Sequence, residues 1–352
     1  MVAVWKNSVF LGWAASQGIE TPLDLSQRSD GRCMICRESI RSTEDELLRV
    51  PLSACITADS LESLAERLAY ERNKGHQSRF APYIDVLPTL NKDDGPDGRP
   101  SLLSLPRFWS TKRLEMITDG GQLKARIQND ERKDIDPWAL ACVDSRANFL
   151  GEKYSMTPIL DMINHDSWVS TRACLIEDER SSGSGGVLSL TSGRSYSPGE
   201  EAFISYGNLS NLDTLVDYGF VAEKNPCNSE SISIQMIRKP QFTLTVLADG
   251  TVDSGSKATL RWYLANEEEM EIFSSLEKGS GLGVLARPLS ERNELDVQSF
   301  IASTLDEAAC DAKAGASEAG NDDLVRRYLQ ERYKVLDAGI QKIRSKYPDL
   351  EY

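Results

Sequence analysis

Hydrophobic positions recur at helical spacing in several parts of the chain. Trp5, Phe10 and Trp13 follow this spacing within residues 4–19, and Gly18 is a plausible helix stop, so an opening helix is expected there. The same three-and-four pattern returns later, and it predicts helices within residues 61–88, from Thr111 onwards, after Pro137 and within residues 325–343.

Apolar runs with a period of two predict strands elsewhere. Residues 31–37 and 46–52 are short apolar runs around a polar turn, and we expect them to pair with each other. Residues 174–176 and 187–190 are expected to form a hairpin around a tip rich in glycine and serine. More strand-like sequence follows within residues 232–252, before the mostly helical end of the chain.

Two segments lack either periodicity. Residues 91–100 concentrate Gly, Pro and Asp and predict an exposed loop, and residues 311–321 are small and are expected to be mobile. The order of strands, helical block, strands and helices indicates an α+β domain that is interrupted by a helical insert and followed by a second domain. A chain of 352 residues has room for both.

The net charge, the length of the apolar runs and the number of cysteines indicate which partners and which cellular compartment to expect. The net charge of −14 repels phosphate backbones, so nucleic acid is not expected as a partner, whereas a basic protein is. Apolar runs are too short to span a membrane, and the start does not resemble a secretion signal. The 7 cysteines are odd in number and scattered, which indicates reduced thiols in a cytoplasm-like compartment.

Common catalytic and metal motifs are missing from the sequence. It has no phosphate-binding P-loop, no nucleophile elbow and no HExxH zinc motif. Cys33 and Cys36 have zinc-ligand spacing, but no second such pair exists, so alternating strand residues are the better interpretation. The sequence contains 2 histidines, which leaves little material for a histidine-based metal site, and we expect no metal.

Two stretches carry candidate chemistry. Residues 161–165 (DMINH) follow an apolar run, and on pattern alone their polar side chains are expected to satisfy local backbone groups. Residues 200–221 predict a strand that ends at Tyr206 and a short capped helix that ends at Tyr218, each tyrosine followed by glycine. Such tyrosines could point their hydroxyls into one small space, or both could be core aromatics with solvated tips.

Taken in order, these pieces resemble the SET-domain protein methyltransferases, in the branch of the Rubisco large-subunit lysine methyltransferase and the actin-histidine methyltransferase. The resemblance spans nearly the whole chain. Its motifs are DGR at residues 30–32, ELLRVPL at 46–52, FAPYIDVLP at 80–88, PRFWS at 106–110, SR at 145–146, PILDMINH at 158–165 and SYGNLSNLDTLVDYGFV at 205–221.

The resemblance implies a β-rich SET domain at residues 1–225, with a pseudoknot and a helical insert at about 60–155. A mostly α-helical substrate-binding domain of the Rubisco-methyltransferase type would occupy residues 226–352. The resemblance also implies S-adenosylmethionine as cofactor and Tyr206 as the catalytic tyrosine. The implied cofactor-binding residues are Asp30, Gly31, Arg32, Arg146, Asp161, Asn164, His165, Tyr218, Gly219 and Phe220.

The implied function is S-adenosylmethionine-dependent N-methylation of lysine in a non-histone protein, by a monomer in the cytoplasm, the nucleus or a plastid. One alternative is protein-histidine N-methylation, since both activities occur on this scaffold. Relatives commonly have a second glycine where this sequence has Cys33, and this departure motivates another alternative, a non-catalytic binding module with a SET fold.

Overall fold

The computed structural model describes residues 2–28, 31–91, 99–128, 132, 134–177, 186–280 and 285–350. Its helices are α1 Val2–Ser16, α2 Leu61–Asn73, α3 Ala81–Ile84, α4 Thr111–Glu115, α5 Gln122–Gln128, α6 Pro137–Arg146, α7 Asn211–Asp213, α8 Ser254–Tyr263, α9 Glu267–Ser280, α10 Glu291–Glu318 and α11 Asp323–Lys346. Its strands are β1 Leu23–Arg28, β2 Gly31–Cys36, β3 Glu46–Pro51, β4 Ile56–Ala58, β5 Asn148–Leu150, β6 Lys153–Met156, β7 Asn164–His165, β8 Ala173–Glu177, β9 Gly186–Thr191, β10 Phe203–Ile204, β11 Ser229–Ile234 and β12 Phe242–Leu247.

The chain forms two compact units. Unit 1 comprises Met1–Phe108, Asn129–Asn208 and Asp217–Gly219, and unit 2 comprises Trp109–Gln128, Leu209–Val216 and Phe220–Tyr352. Unit 2 therefore draws on segments that precede residue 226. Among the described helices of both units, none is long and apolar enough to cross a membrane.

Unit 1 is built from several small sheets. β1 pairs with β2, β3-β9-β8 and β4-β6-β5 form three-stranded antiparallel sheets, and β7 pairs with β10 in parallel. The predicted hairpin of β8 and β9 is confirmed, although its tip at residues 178–185 lies outside the described residues. Most of the predicted loop at residues 91–100 also lies outside them.

The expected pairing of residues 31–37 with residues 46–52 is wrong, although both segments are strands. β2 pairs with β1, and β3 pairs with β9. β1 has the sequence LDLSQR, in which the buried residues Leu23 and Leu25 are the only apolar ones. Two apolar residues give too short an alternation to identify a strand from the sequence. The periodicity of apolar residues can identify a strand. Its pairing partner, however, is the strand whose apolar face lies on the same side of the sheet, and this depends on the tertiary fold.

Two helices of the insert have a capping side chain at their start. Ser60 accepts a hydrogen bond from the backbone N–H of Ser63 at the start of α2, and Asp136 does the same for Ala139 at the start of α6. Pro137 occupies the first turn of α6, where its missing N–H costs nothing. The apolar faces of α2 and α6 belong to the same buried core as the strands of unit 1.

Unit 2 combines the antiparallel hairpin β11–β12 with the helices α8 to α11. The expectation of a mobile segment at residues 311–321 is wrong, because α10 continues to Glu318 and Ala312 is fully buried. A Cβ atom at Gly315 would lie 2.6 Å from Oγ1 of Thr118 and 2.9 Å from a methyl group of Leu329. These small residues therefore permit close helix packing.

Candidate active site

The parallel pair β7–β10 brings together two segments that are distant in sequence. Asn164 lies opposite Phe203, and His165 lies opposite Ile204. The Asn164 amide donates to the Arg32 carbonyl oxygen at 3.1 Å and to the Glu201 carboxylate at 2.8 Å. The expectation that this side chain satisfies local backbone is therefore wrong, since its partners come from β2 and from the segment before β10.

Tyr206 is fixed at this junction from two sides. Its hydroxyl donates to the carbonyl oxygen of Ile163 at 2.8 Å, and its backbone N–H donates to Nδ1 of His165 at 3.0 Å. The ring centroids of Tyr206 and Tyr218 are 4.8 Å apart. The two tyrosines that the sequence placed next to glycines therefore lie side by side.

The environment of Tyr206 determines what its hydroxyl can do. Burial is the main cause that raises its pKa above the ordinary tyrosine value, so the phenol stays protonated at neutral pH. Because its proton is directed at the Ile163 carbonyl, the lone pairs of the phenol oxygen are left as acceptors. This oxygen can orient a donor but is not suited to act as a general base.

A cavity of about 260 Å³ adjoins Tyr206. Of the predicted site residues, Arg146, Asp161, Tyr206 and Tyr218 line it together. Its other lining residues are Ser145, Ala147, Asn148, Phe149, Leu160, Ile204 and Ser205. The cavity thus combines aromatic walls with one cation and one carboxyl group.

Arg146 and Asp161 leave one polar atom each without a partner. The Arg146 guanidinium donates to the backbone carbonyl of Asp161, and Oδ2 of Asp161 accepts from the Tyr83 hydroxyl at 2.6 Å. Nε of Arg146 and Oδ1 of Asp161 are buried and have no hydrogen-bond partner among the described residues. Such atoms are costly when buried, so a ligand that presents a carboxylate and an ammonium would satisfy both.

Arg32 adds a second buried cation to this part of unit 1. Its side chain donates to the carbonyl oxygen of Val86. Burial, reinforced by the charge of Arg146, lowers the pKa of Arg32 to about 9, which leaves the guanidinium charged at neutral pH. Among the charges that act on Arg32, the cations Arg146 and Arg99 outnumber the carboxyl group of Asp161, so a bound carboxylate would help to balance them.

The remaining predicted site residues lie in different places. Gly31 begins β2 with φ of 134°, and His165 contacts the Tyr206 ring at a centroid distance of 5.0 Å. Gly219 has φ of 75° and lies against Ser104. Phe220 belongs to unit 2, where its N–H donates to the Thr214 carbonyl at 3.3 Å, and Asp30 lies outside the described residues.

Sequence reasoning gave no role to several residues of the site. Tyr83 lies in the motif at residues 80–88, and its buried hydroxyl on an apolar helical stretch is the signal that could have identified it. Glu201, the partner of Asn164, had no comparable signal. Within the described ranges, no group of three or more His, Cys, Asp or Glu side chains could hold a metal ion.

Comparison of the sequence with known proteins finds distant relatives, although no family model matches. The chain is 24% identical over 233 residues to SET domain-containing protein 4 of Homo sapiens, which covers 57% of the chain and 52% of that protein. It is also 24% identical over 327 residues to N-lysine methyltransferase setd6 of Xenopus laevis, covering 74% and 67% of the two chains. The actin-histidine N-methyltransferase of Danio rerio is 24% identical over 192 residues, which cover 47% of the chain and 31% of that protein.

Comparison of the fold gives a match along nearly the whole chain. The SET domain of LSMT bound to lysine and AdoHcy superposes with a TM-score of 0.73 at 19% identity, covering 99% of this chain and 93% of that one. Rubisco LSMT bound to AdoMet gives a TM-score of 0.71 over 98% and 93%. The chain therefore has the SET fold, and its resemblance to the methyltransferase branch of the Rubisco large-subunit and actin-histidine enzymes is confirmed.

Proposed function

We propose that this chain is an S-adenosylmethionine-dependent protein N-methyltransferase whose acceptor is lysine in a non-histone protein. The observation that carries the proposal is Tyr206, held by Ile163 and His165 against the cavity that Arg146 and Asp161 also line. Solved neighbours of this fold bind AdoMet or AdoHcy, and one of them also binds lysine.

The site residues fit the cofactor by their chemistry. Arg146 has a free N–H for the cofactor carboxylate, and Asp161 has a free oxygen for the ammonium. Main-chain groups of the segments Asp30–Arg32 and Asn164–His165 would contact it, and Tyr218, Gly219 and Phe220 would lie near its adenine. When bound, S-adenosylmethionine supplies a methyl group on a sulfonium sulfur.

Residues of the chain would prepare the acceptor. A lysine amine has a reference pKa of about 10.4 and reacts only when neutral, and enclosure between aromatic side chains favours the neutral form. The Tyr206 oxygen can then accept a hydrogen bond from the amine. This bond orients the lone pair of the amine nitrogen. Tyr206 and Tyr218 together would exclude water and fix the acceptor for an in-line transfer, so that positioning supplies most of the acceleration.

Two alternatives stand beside lysine methylation. A neutral imidazole is a second possible acceptor, since the match to the Danio rerio actin-histidine enzyme is as strong in identity as the match to the lysine enzyme. A non-catalytic module is the other, prompted by Cys33. The Cys33 side chain is buried within β2, opposite Ser26 of β1.

One set of measurements separates these functions. Calorimetry of the full chain with AdoHcy, in the presence of a chelator, should show binding, and dependence on zinc would contradict the proposal. Labelled methyl transfer to peptides that differ only in a Lys or a His acceptor identifies the acceptor. A folded protein that binds AdoHcy but labels neither peptide nor any protein of a cell extract would support the non-catalytic module.

We further propose that residues 226–352 select the protein substrate, because the residues proposed to hold the cofactor precede residue 221. A truncation before residue 226 is a poor test, since one buried cluster of unit 2 joins Trp109 and Leu215 to Val325 and Leu329. Substitutions of exposed residues on α10 and α11 should instead change the KM for protein substrate while leaving AdoHcy affinity unchanged. We also propose a reducing compartment such as the cytoplasm, because the 7 cysteines are odd in number and scattered along the sequence.

A further inference from the structure

We infer that Tyr83, in the helical insert, is a positioning residue that orients Asp161 to receive the ammonium group of the cofactor. The inference rests on the proposed function and assigns a task to the insert within the same site. It begins from the contact between the Tyr83 hydroxyl and Oδ2 of Asp161, which are 2.6 Å apart and buried.

Tyr83 is held rigidly by its surroundings. Its ring is stacked on Trp13 at a centroid distance of 6.2 Å with 4° between the planes, and it packs against Phe10 at 6.2 Å. No part of the Tyr83 side chain reaches solvent, since the residue is 0% exposed. This packing encloses the hydroxyl, and its polar partner in the described structure is the Asp161 carboxyl group.

This contact decides which oxygen of Asp161 remains available. Oδ2 is occupied by Tyr83, and Oδ1 is the buried oxygen without a partner among the described residues. The Tyr83 hydroxyl thus constrains the carboxyl group of Asp161, a residue that lines the cavity together with Arg146, and leaves Oδ1 as the oxygen that can still accept a hydrogen bond. An ammonium donor is suited to that acceptor because it neutralises the charge as well as donating a hydrogen bond.

The contact also affects the charge of Asp161. Burial raises the pKa of this carboxyl group, and the opposing influences are the positive charge of Arg146, the hydrogen bond from Tyr83 and the charge of Arg32. Without the Tyr83 hydroxyl, the neutral form gains over the carboxylate. The titratable groups around Asp161 are Arg32, Tyr83, Arg146, Tyr206 and the thiols of Cys55 and Cys142, whose pKa values burial raises to about 11 and about 12.

The test compares Tyr83→Phe with the unchanged chain in binding two compounds. AdoHcy carries the amino-acid end, whereas methylthioadenosine keeps the adenosine and sulfur but lacks that end. Tyr83→Phe should weaken AdoHcy about 10- to 100-fold, the range expected when a hydrogen bond to a charged group is lost, and leave methylthioadenosine within about twofold. The deficit should deepen as the pH falls, because Asp161 then protonates more readily in the variant.

A matched control removes a similar hydroxyl elsewhere. Tyr263 is buried in unit 2 and donates to the Pro240 carbonyl at 2.9 Å, so Tyr263→Phe should change neither affinity. In an Asp161→Asn background, Tyr83→Phe should cause no further loss of AdoHcy affinity. Additive losses, or equal weakening of both compounds, would mean that Tyr83 has only a structural role. An unchanged chain that fails to bind AdoHcy would overturn the proposed function together with this inference.

Discussion

The Tyr206 hydroxyl donates to the carbonyl oxygen of Ile163 at 2.8 Å, which joins the residue before β7 to the segment after β10. The same segment is joined a second time where the Tyr206 N–H donates to Nδ1 of His165. Because both bonds lie at one junction, the orientation of the phenol oxygen is set by the fold itself. Removal of the hydroxyl leaves the backbone bond to His165 intact, so the ring should stay in place.

Tyr206→Phe should slow methyl transfer about 100- to 1000-fold, since one positioned hydrogen-bonding group in an active site commonly contributes roughly 2.7–4 kcal/mol to the transition state. AdoHcy affinity should change little, because the aromatic ring still packs against Tyr218 and His165. Single-turnover rates and AdoHcy dissociation constants, measured on the same preparations, check both expectations.

Tyr218→Phe is the matched control for this prediction. We expect its hydroxyl to lie near the cofactor rather than the accepting nitrogen, so this change should chiefly weaken cofactor binding. If Tyr206 were only a core aromatic, Tyr206→Phe would leave turnover within about threefold, the effect of less than ~1 kcal/mol. That result would remove Tyr206 from the proposed mechanism.

The local elements were predictable because their signals are local. Pro137 marks the start of α6, and alternating apolar residues mark β8 and β9, so the predicted and observed elements agree. The prediction of a mobile segment at residues 311–321 was wrong because small residues are compatible with both a mobile segment and a closely packed helix. Only the neighbours of Gly315 decide between these interpretations.

The candidate site was predictable only in part. The resemblance selected Arg146, Asp161 and Tyr206, which the structure brings to one cavity, although their individual roles stay predictions. The contacts of Tyr83 with Asp161 and of Asn164 with Glu201 join residues that are far apart in sequence. Such bonds depend on the tertiary fold, and no periodicity or spacing in the sequence encodes them.

Gly219→Ala should destabilise the protein for two reasons. Its φ of 75° is disfavoured for residues with a side chain, and an added Cβ would lie 2.4 Å from Oγ and 3.1 Å from the carbonyl carbon of Ser104. We expect a loss of about 2–4 kcal/mol in the free energy of unfolding, which combines backbone strain with overpacking.

Gly199→Ala isolates the backbone contribution. Gly199 has a similar φ of 79°, and a Cβ there would meet no atom of the described chain within 4 Å. This variant should lose only about 1–2 kcal/mol, the usual cost of the left-handed conformation for a residue with a side chain. Denaturant unfolding of both variants gives the comparison, and equal losses would show that Ser104 moves aside without cost.

The cysteines should differ sharply in reactivity. Cys174 and Cys310 are exposed and Cys227 is partly exposed, whereas Cys55 and Cys142 are buried, with pKa values that burial raises to about 11 and about 12. Because the thiolate is the reactive form, the exposed pair should react first with a disulfide reagent at pH 8, and Cys227 more slowly.

Cys174→Ser combined with Cys310→Ser should remove the fast phase of this reaction. The buried thiols, including Cys33 and Cys36, should react only after the protein unfolds in guanidinium. The count of fast thiols, followed by absorbance, is the measurement. Rapid modification of more than three thiols in the folded protein would show that the core of unit 1 opens readily.

Arg332 and Glu230 form an ion pair in the interior of unit 2. The Arg332 guanidinium on α11 donates to the Glu230 carboxylate on β11, and the two residues are 3% and 4% exposed. Burial raises the pKa of Glu230 from 4.5 to about 7 against the opposing charge of Arg332, and the charge of Asp119 adds to the increase. Arg332→Met should cost about 3–5 kcal/mol at pH 8, because it leaves a buried carboxylate without its cation.

The pH dependence of this loss follows from the direction of the pKa shift. A carboxyl group whose folded pKa lies above its unfolded value binds protons more tightly in the folded protein, so its contribution to stability declines as the pH rises from about 4.5 to the folded pKa. Removal of Arg332 raises that folded pKa further. The deficit of Arg332→Met should therefore shrink between pH 8 and pH 5, as Glu230 takes up a proton.

Denaturant unfolding at several pH values tests this expectation. Arg327→Met is the control, since Arg327 is 52% exposed and lies 4.0 Å from the exposed Glu223, and its loss should stay below about 1 kcal/mol at every pH. Adding Glu230→Gln to Arg332→Met removes the uncompensated charge and should recover stability at pH 8. If the deficit of Arg332→Met is the same at pH 5 and pH 8, lost packing of the arginine rather than the buried Glu230 charge is its cause.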